Sequence, residues 1–283
     1  MTAVQQVAIV TGGASGIGAA LCRALAARGL AVVVADINAA GAEAVAAAIR
    51  QRGGTAASRH VDVADASSVT QLVQHTVATH RRIDFMFNNA GIAVTADARD
   101  LRPEHWRRLI DVNLLGVIHG VQAAYPFMAQ QCHGHIVNTA SLAGLLPYPT
   151  NLPYATTKHA VVGLSNTLRI EAADLGVRVS VVCPGFVETG IGAASPTLNV
   201  RDAPTDVALP FKFLDADDAA QRILAGVWRN QAVIVFPFYA RLLWWLYRMR
   251  VTWLSPVGMR LIRDLRRRRL PAAVEHDREE QIR

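Results

Sequence analysis

Val7-Ala8-Ile9-Val10-Thr11-Gly12-Gly13-Ala14-Ser15-Gly16-Ile17-Gly18 is the stretch on which the fold turns. Residues 7–10 are an apolar run of the length of a buried strand, and residues 19–27 have helix-forming composition. Strand, glycine-rich turn and helix in that order suit a dinucleotide. The glycines let the backbone approach a pyrophosphate, which rests on the free N–H groups of the helix N-terminus. The spacing here is G-x-x-x-G-x-G rather than G-x-G-x-x-G, and a plain strand-to-helix turn would also use glycines.

Outward from this turn the pattern repeats. Residues 30–35 are a valine-rich run ending in Asp36, which lies 18 residues past Gly18, close to the offset of a carboxylate that binds adenosine ribose hydroxyls. This favours NAD over NADP: a 2′-phosphate would face the carboxylate, and none of Ala14, Ser15 and Ile37 supplies a neutralising arginine. The alternative is that Asp36 only caps a helix. A helix to residue 50, a strand at 56–61, a helix at 67–80 and a strand at 84–87 continue the alternation. That order predicts a Rossmann-type, doubly wound parallel α/β sheet with helices on both faces. Asp62 and Val63 then stand at the end of the third strand, where an adenine edge can be read, and Asn88-Asn89-Ala90-Gly91 end the fourth. One long helix is predicted over 103–129 with Asn113 in its middle, where propensity disfavours asparagine and another role is called for. A fifth strand at 136–139 delivers Ser141 to the same edge, and a helix at 217–228 with a strand at 232–236 completes the sheet.

Ser141 is followed 13 residues later by Tyr154 and four after that by Lys158. Residues four apart share a helix face, so the ammonium lies beside the phenol. An ammonium about 4 Å away, at an effective dielectric of about 20, favours the phenolate by roughly 4 kcal/mol, or about three pK units. Tyr154 would then exchange a proton with an alcohol near neutral pH. An ordinary helix surface can also carry this pair. Of 29 basic residues only Lys158 and Lys212 are lysines, however, so position 158 calls for a compact ammonium where arginine is the rule.

Thr11-Gly12 to Gly18, Asp36, Asp62, Asn88-Asn89-Ala90-Gly91, Asn113, Ser141, Tyr154, Lys158 and Pro184-Gly185 with Thr189, in this order, make residues 4–237 resemble the short-chain dehydrogenase/reductase family. The resemblance implies that Tyr154 is the acid/base and that Ser141 hydrogen-bonds the reacting oxygen. Lys158 lowers the Tyr154 pKa and binds the nicotinamide ribose, and Asn113 holds a water linking Lys158 to solvent. Gly12, Ser15, Gly16, Ile17, Gly18, Asp36, Asp62, Val63, Asn89, Ala90, Gly91, Pro184, Gly185, Val187 and Thr189 would contact the dinucleotide, together with Tyr154 and Lys158. It further implies a homodimer or homotetramer. The expected activity is NAD-dependent interconversion of a lipophilic secondary alcohol and its ketone. The alternatives are an NADPH-dependent 3-oxoacyl or ketone reductase, and a nucleotide-binding scaffold or sensor without turnover.

The substrate wall is expected in the loop after Ser141, at Leu142, Leu145 and Tyr148, and at Phe186, where an insertion to about residue 213 begins. Leucines in such a loop can instead cover the core. No metal is expected: His133 and His135 neighbour Cys132 but no carboxylate cluster, and Cys22, Cys132 and Cys183 read as reduced core thiols. A strand this near the first residue leaves no room for a signal peptide, so a cytoplasmic location is expected.

Residues 1–237 therefore read as the catalytic domain, 238–270 as a helical extension and 271–283 as a disordered tail. The net charge of +7 is localised: residues 241–269 hold nine arginines and one acid, and the remainder is near neutral. Four of five tryptophans lie between 228 and 253. A helix over 239–250 brings Arg241, Trp244, Trp245 and Arg248 together, and a second begins at Ser255 with Pro256 in its first turn. No uncharged run is long enough to span a bilayer. Amphipathic helices rich in Trp, Leu and Arg suggest peripheral attachment through 239–269 to the inner face of a membrane, with a lid or subunit contact as the alternatives. No nucleic-acid module accompanies the arginines.

Overall fold

The computed structural model describes residues 5–191, 195–200 and 213–269. Leu209, Pro210 and Phe211 of the insertion, Lys212 and the tail at 271–283 lie outside them. Apolar runs become strands wherever helices cover both faces. In chain order these are β1 (Val7–Thr11), α1 (Gly16–Ala26), β2 (Ala31–Asp36), α2 (Ala39–Gln51), β3 (Thr55–His60), α3 (Ala66–His80) and β4 (Phe85–Asn88). Then follow α4 (Pro103–Ile110), a π-helical turn (Asp111–Leu115), α5 (Gly116–Gln131), β5 (Gly134–Thr139), α6 (Leu152–Glu171) and β6 (Val177–Pro184). The chain continues through α7 (Ala216–Trp228), β7 (Val233–Phe236), α8 (Phe238–Met249) and α9 (Ser255–Arg267).

The strands form one parallel sheet in the order β3-β2-β1-β4-β5-β6-β7. Alternate residues feed two cores. Ala8, Val10, Val32 and Val34 pack with Leu21, Leu25 and Ile223 of α1 and α7, while Ile9, Val33, Met86 and Ile136 pack with Leu72, Val73 and Met128 of α3 and α5. A third cluster joins Val181, Cys183 and Val235 to Val161 of α6 and Ala240 of α8. Side-chain caps fix the helix starts: Asn38 for α2, Asp65 for α3 and Asp215 for α7 each accept a backbone N–H. The order reverses at β1, from which the chain winds both ways, and the open crevice of such sheets lies beyond the carboxyl ends of β1 and β4.

Two readings change, and the placement of two histidines is added to them. The helix expected over 103–129 is divided by the π-turn that carries Asn113. Cys22 and Cys183 are buried, but Cys132 is exposed because it caps α5 in a left-handed conformation, φ 55°. His133 and His135 diverge: His135 is buried on Ser180 at 2.9 Å, and His133 is exposed. Among the described residues no group of three or more His, Cys, Asp or Glu is arranged to hold a metal.

Candidate active site

The turn after β1 is shaped by what it cannot accommodate. A Cβ on Gly18 would lie 1.9 Å from the Gly12 carbonyl oxygen, and one on Gly12, φ 65°, would lie 2.8 Å from the Ala90 Cα. Backbone meets backbone, and the first N–H groups of α1 are left to face a ligand; Ser15, the N-cap, makes no side-chain cap of its own. Thr11 ties this turn to the end of β4: its Oγ1 accepts Asn89 N at 3.0 Å and Ala90 N at 3.2 Å, while Asn89 Nδ2 donates to Thr11 O at 3.2 Å. Asp36, at the end of β2, accepts Ala14 N at 2.9 Å and Asn38 N at 2.8 Å, so its carboxylate is held beside the turn. Asp62 accepts Ala64 N at 2.9 Å, and the Val63 carbonyl meets His119 Nδ1 at 2.9 Å. These features form a cradle of bare backbone, helix N-terminus and carboxylate that fits a dinucleotide.

Ser141, Asn113 and Lys158 converge on the same edge from three elements. Ser141 follows β5, and its hydroxyl accepts Ala143 N at 3.1 Å. Asn113 is buried; its Oδ1 accepts Ile92 N at 2.8 Å and its Nδ2 donates to Ile92 O at 2.9 Å. Both halves of the amide therefore brace the segment after β4. A Cβ on Gly91 would stand 3.3 Å from Asn113 Oδ1 and 3.5 Å from Lys158 Nζ, so glycine keeps the space between them clear.

Lys158, on α6, is 2 % exposed and donates from Nζ to the Thr139 carbonyl at 2.8 Å, with the ammonium 5.5 Å from the centre of the Tyr154 ring. Burial draws the lysine down to about 8. Tyr154 is held above its ordinary value by burial, and the Ser141 hydroxyl lowers it only in part. This differs from the expected direction for the phenol. One N–H of the ammonium goes to the Thr139 carbonyl and the charge stands over the ring, so burial outweighs what the lysine does for the phenolate.

Pro184 ends β6 and Gly185 follows it, donating its N–H to Phe236 O at 2.7 Å. Val187 bridges to Leu214, and Thr189 lies against Gly16, 3.1 Å from where a Cβ would be. Phe186 stacks on Phe213 at 5.7 Å and meets Tyr148 at 6.4 Å. The Tyr148 phenol is pushed up to about 12 by burial and by neighbouring Tyr154. Leu142 and Leu145 pack instead against the cluster of Val161, Val181 and Val235. Three contributors lie outside the sequence reading: Thr139 receives the lysine, Thr157 takes Asn113 Nδ2 at 3.4 Å, and Tyr239 Oη accepts Phe186 N at 2.9 Å. Thr139 and Thr157 adjoin motif residues, the one signal available; Tyr239 opens the extension and carried none.

The short chain dehydrogenase family model matches residues 6–197, more than half of the chain. The protein belongs to the short chain dehydrogenase family. It is 38% identical to a 3-oxoacyl-[acyl-carrier-protein] reductase of Synechocystis sp. over 79% of this chain and 94% of that one. It is 36% identical to a cyclohexanol dehydrogenase of Acinetobacter sp. over 76% and 89% of the two chains. A short chain dehydrogenase/reductase from Burkholderia phymatum, solved in complex with NAD, superposes with a TM-score of 0.78 at 29% identity, covering 89% of this chain and 96% of that one. This short chain dehydrogenase is thus an NAD(P)-dependent oxidoreductase of alcohols and ketones or 3-oxoacyl compounds.

Proposed function

We propose that the enzyme oxidises a lipophilic secondary alcohol with NAD, or runs the reverse ketone reduction, with Tyr154 as acid/base. The observation that carries this reading is the meeting of Ser141, Tyr154 and Lys158 at one sheet edge beside a dinucleotide cradle. Alcohol oxidation needs a base for the hydroxyl proton, a donor on the oxygen and a hydride acceptor. NAD, when bound, supplies the hydride acceptor. Its holders would be the Gly12 to Gly18 turn, Asp36, Asp62, Val63, Asn89 to Gly91, and Pro184, Gly185, Val187 and Thr189. Tyr154 Oη takes the hydroxyl proton, the Ser141 hydroxyl donates to the substrate oxygen, and Lys158 stabilises the phenolate. Asn113, through Ile92, holds the segment on which Gly91 leaves room for the lysine.

Asp36 supports NAD: among the described residues no arginine pairs with it, and a 2′-phosphate would approach its charge. Tyr148, which neighbours Tyr154, and the Phe186 and Phe213 rings that follow on from it support a lipophilic substrate. The test is turnover of purified protein with NAD and NADP on a panel of hydrophobic secondary alcohols and on a 3-oxoacyl thioester. The expected result is a kcat/KM at least about tenfold higher with NAD, narrowed in Asp36→Ala. An unchanged ratio in that variant sinks the role of Asp36. Preferred turnover of the thioester with NADPH selects the 3-oxoacyl reductase reading, which the Synechocystis relative favours.

We also infer peripheral attachment to a membrane. On α8, Phe238, Leu242, Trp245 and Met249 recur at helical spacing and are all exposed, from 43% to 76%. Arg241 and Arg248 flank this stripe, and with Trp244, Trp245, Val233 and Val235 they line a cavity of about 360 Å³. No described helix is long and apolar enough to cross a membrane, so the mode proposed is interfacial.

A further inference from the structure

Asp97 caps and Asp100 ends a short 3-10 turn after β4, and their side chains are only 2% exposed. A buried carboxylate persists as a charge only when it is paired. The partners come from 169 residues away. Arg266 Nε donates to Asp97 Oδ2 at 2.7 Å, beside the Arg99 pair at 3.0 Å, and Arg269 Nε reaches both oxygens of Asp100 at 3.1 Å. Arg269 also forms an antiparallel bridge with Val200. Farther along α9, a Cβ on Gly258 would lie 3.0 Å from Pro149 Cγ.

The three segments that α9 and the residues directly after it touch are bonded to one another. Thr95 N donates to Pro196 O at 3.0 Å, Leu198 N to Thr95 O at 2.9 Å and Ala96 N to Thr150 O at 2.7 Å. Thr150 and Asn151 lead directly into α6, with Tyr154 three residues further on. The family match stops at residue 197, so α9 belongs to the part of the chain that lies beyond it.

We propose that α9 is the outer wall of the substrate cleft, with Arg266 and Arg269 as positioning residues that hold it on Asp97 and Asp100, so that the extension selects which alcohols bind. This rests on the proposed alcohol dehydrogenase activity. A lipophilic chain leading away from Tyr154 past Tyr148 then runs beneath α9, whereas a small alcohol does not reach it.

The test compares wild type with Arg266→Gln/Arg269→Gln in the full chain, and with Arg269→Lys as the conservative rescue. With NAD, KM for 2-decanol should rise at least fivefold in the double variant while KM for 2-propanol and the NAD Kd stay within twofold. Arg269→Lys should recover most of the effect. Should the double variant fail to fold, Asp100→Asn, which keeps the shape of the carboxylate, is read in the same way. Equal changes for both alcohols, or none, overturn the wall. Failure of wild type to oxidise either alcohol overturns the activity reading instead; the wall is then read by amide hydrogen exchange at 145–151 and 195–200. Faster exchange there in the double variant upholds it, and exchange equal to wild type overturns it.

Discussion

Tyr154 works against its surroundings. Burial favours the neutral phenol, and the lysine meant to oppose that burial is 5.5 Å from the ring centre and bonded to a main-chain carbonyl. If Tyr154 transfers the proton, Tyr154→Phe should lower kcat by about 10²- to 10⁴-fold, the usual worth of general acid–base catalysis, with little change in NAD affinity. Stopped-flow turnover and a cofactor titration would check it, and near-normal kcat would remove the phenol from the chemistry. The pair itself was legible because helical spacing alone puts residues 154 and 158 on one face. The lysine's bond to Thr139 was not, because Thr139 O is a main-chain atom on another element and leaves no mark in residue type. Asn113 announced itself by being a poor helix residue, yet what it grips, the backbone of Ile92, is likewise silent in sequence.

Elements were read more easily than their interruptions. Apolar runs and caps placed the strands ending at Asp36, Asn88 and Thr139 to within a residue or two. The π-turn at Asp111–Leu115 escaped because the residues on both sides keep helix-forming composition and only the hydrogen-bond register changes. The wheel for α8 correctly grouped Arg241, Trp244, Trp245 and Arg248, which share a cavity. Its neighbours across 169 residues, Asp97 and Asp100 for α9, could not be paired from local spacing. If the outward stripe of α8 lies in a membrane interface, the full chain should float with anionic liposomes and be partly released by salt. Trp245→Glu/Met249→Glu should stay in the soluble fraction. Equal flotation of both proteins would exclude the stripe, and a shift from oligomer to monomer without flotation would make it a subunit contact.

For the molecule as a whole, acid sensitivity should trace in part to one imidazole. His135 is 3% exposed, and burial, reinforced by Arg178 and Arg169, draws it from 6.5 to about 3. The folded state thus binds fewer protons here than the unfolded chain. Its contribution is present above about pH 6.5 and is lost as pH falls towards 3, at up to roughly 1.4 kcal/mol per pH unit. Urea melts between pH 7 and 4 should show a flatter decline in His135→Gln than in wild type, and equal slopes would refute the assignment.

The sheet order has a temporal side. Ala8 meets Val32 on one flank, 24 residues along the chain, but Phe85 on the other, 77 residues along. A nascent chain can therefore close β1 against β2 early, yet the opposite row of β1 amides and carbonyls stays bare until β4 has been synthesised. Because residues 7–10 are wholly apolar, that bare edge is the place where two unfinished copies would first stick together.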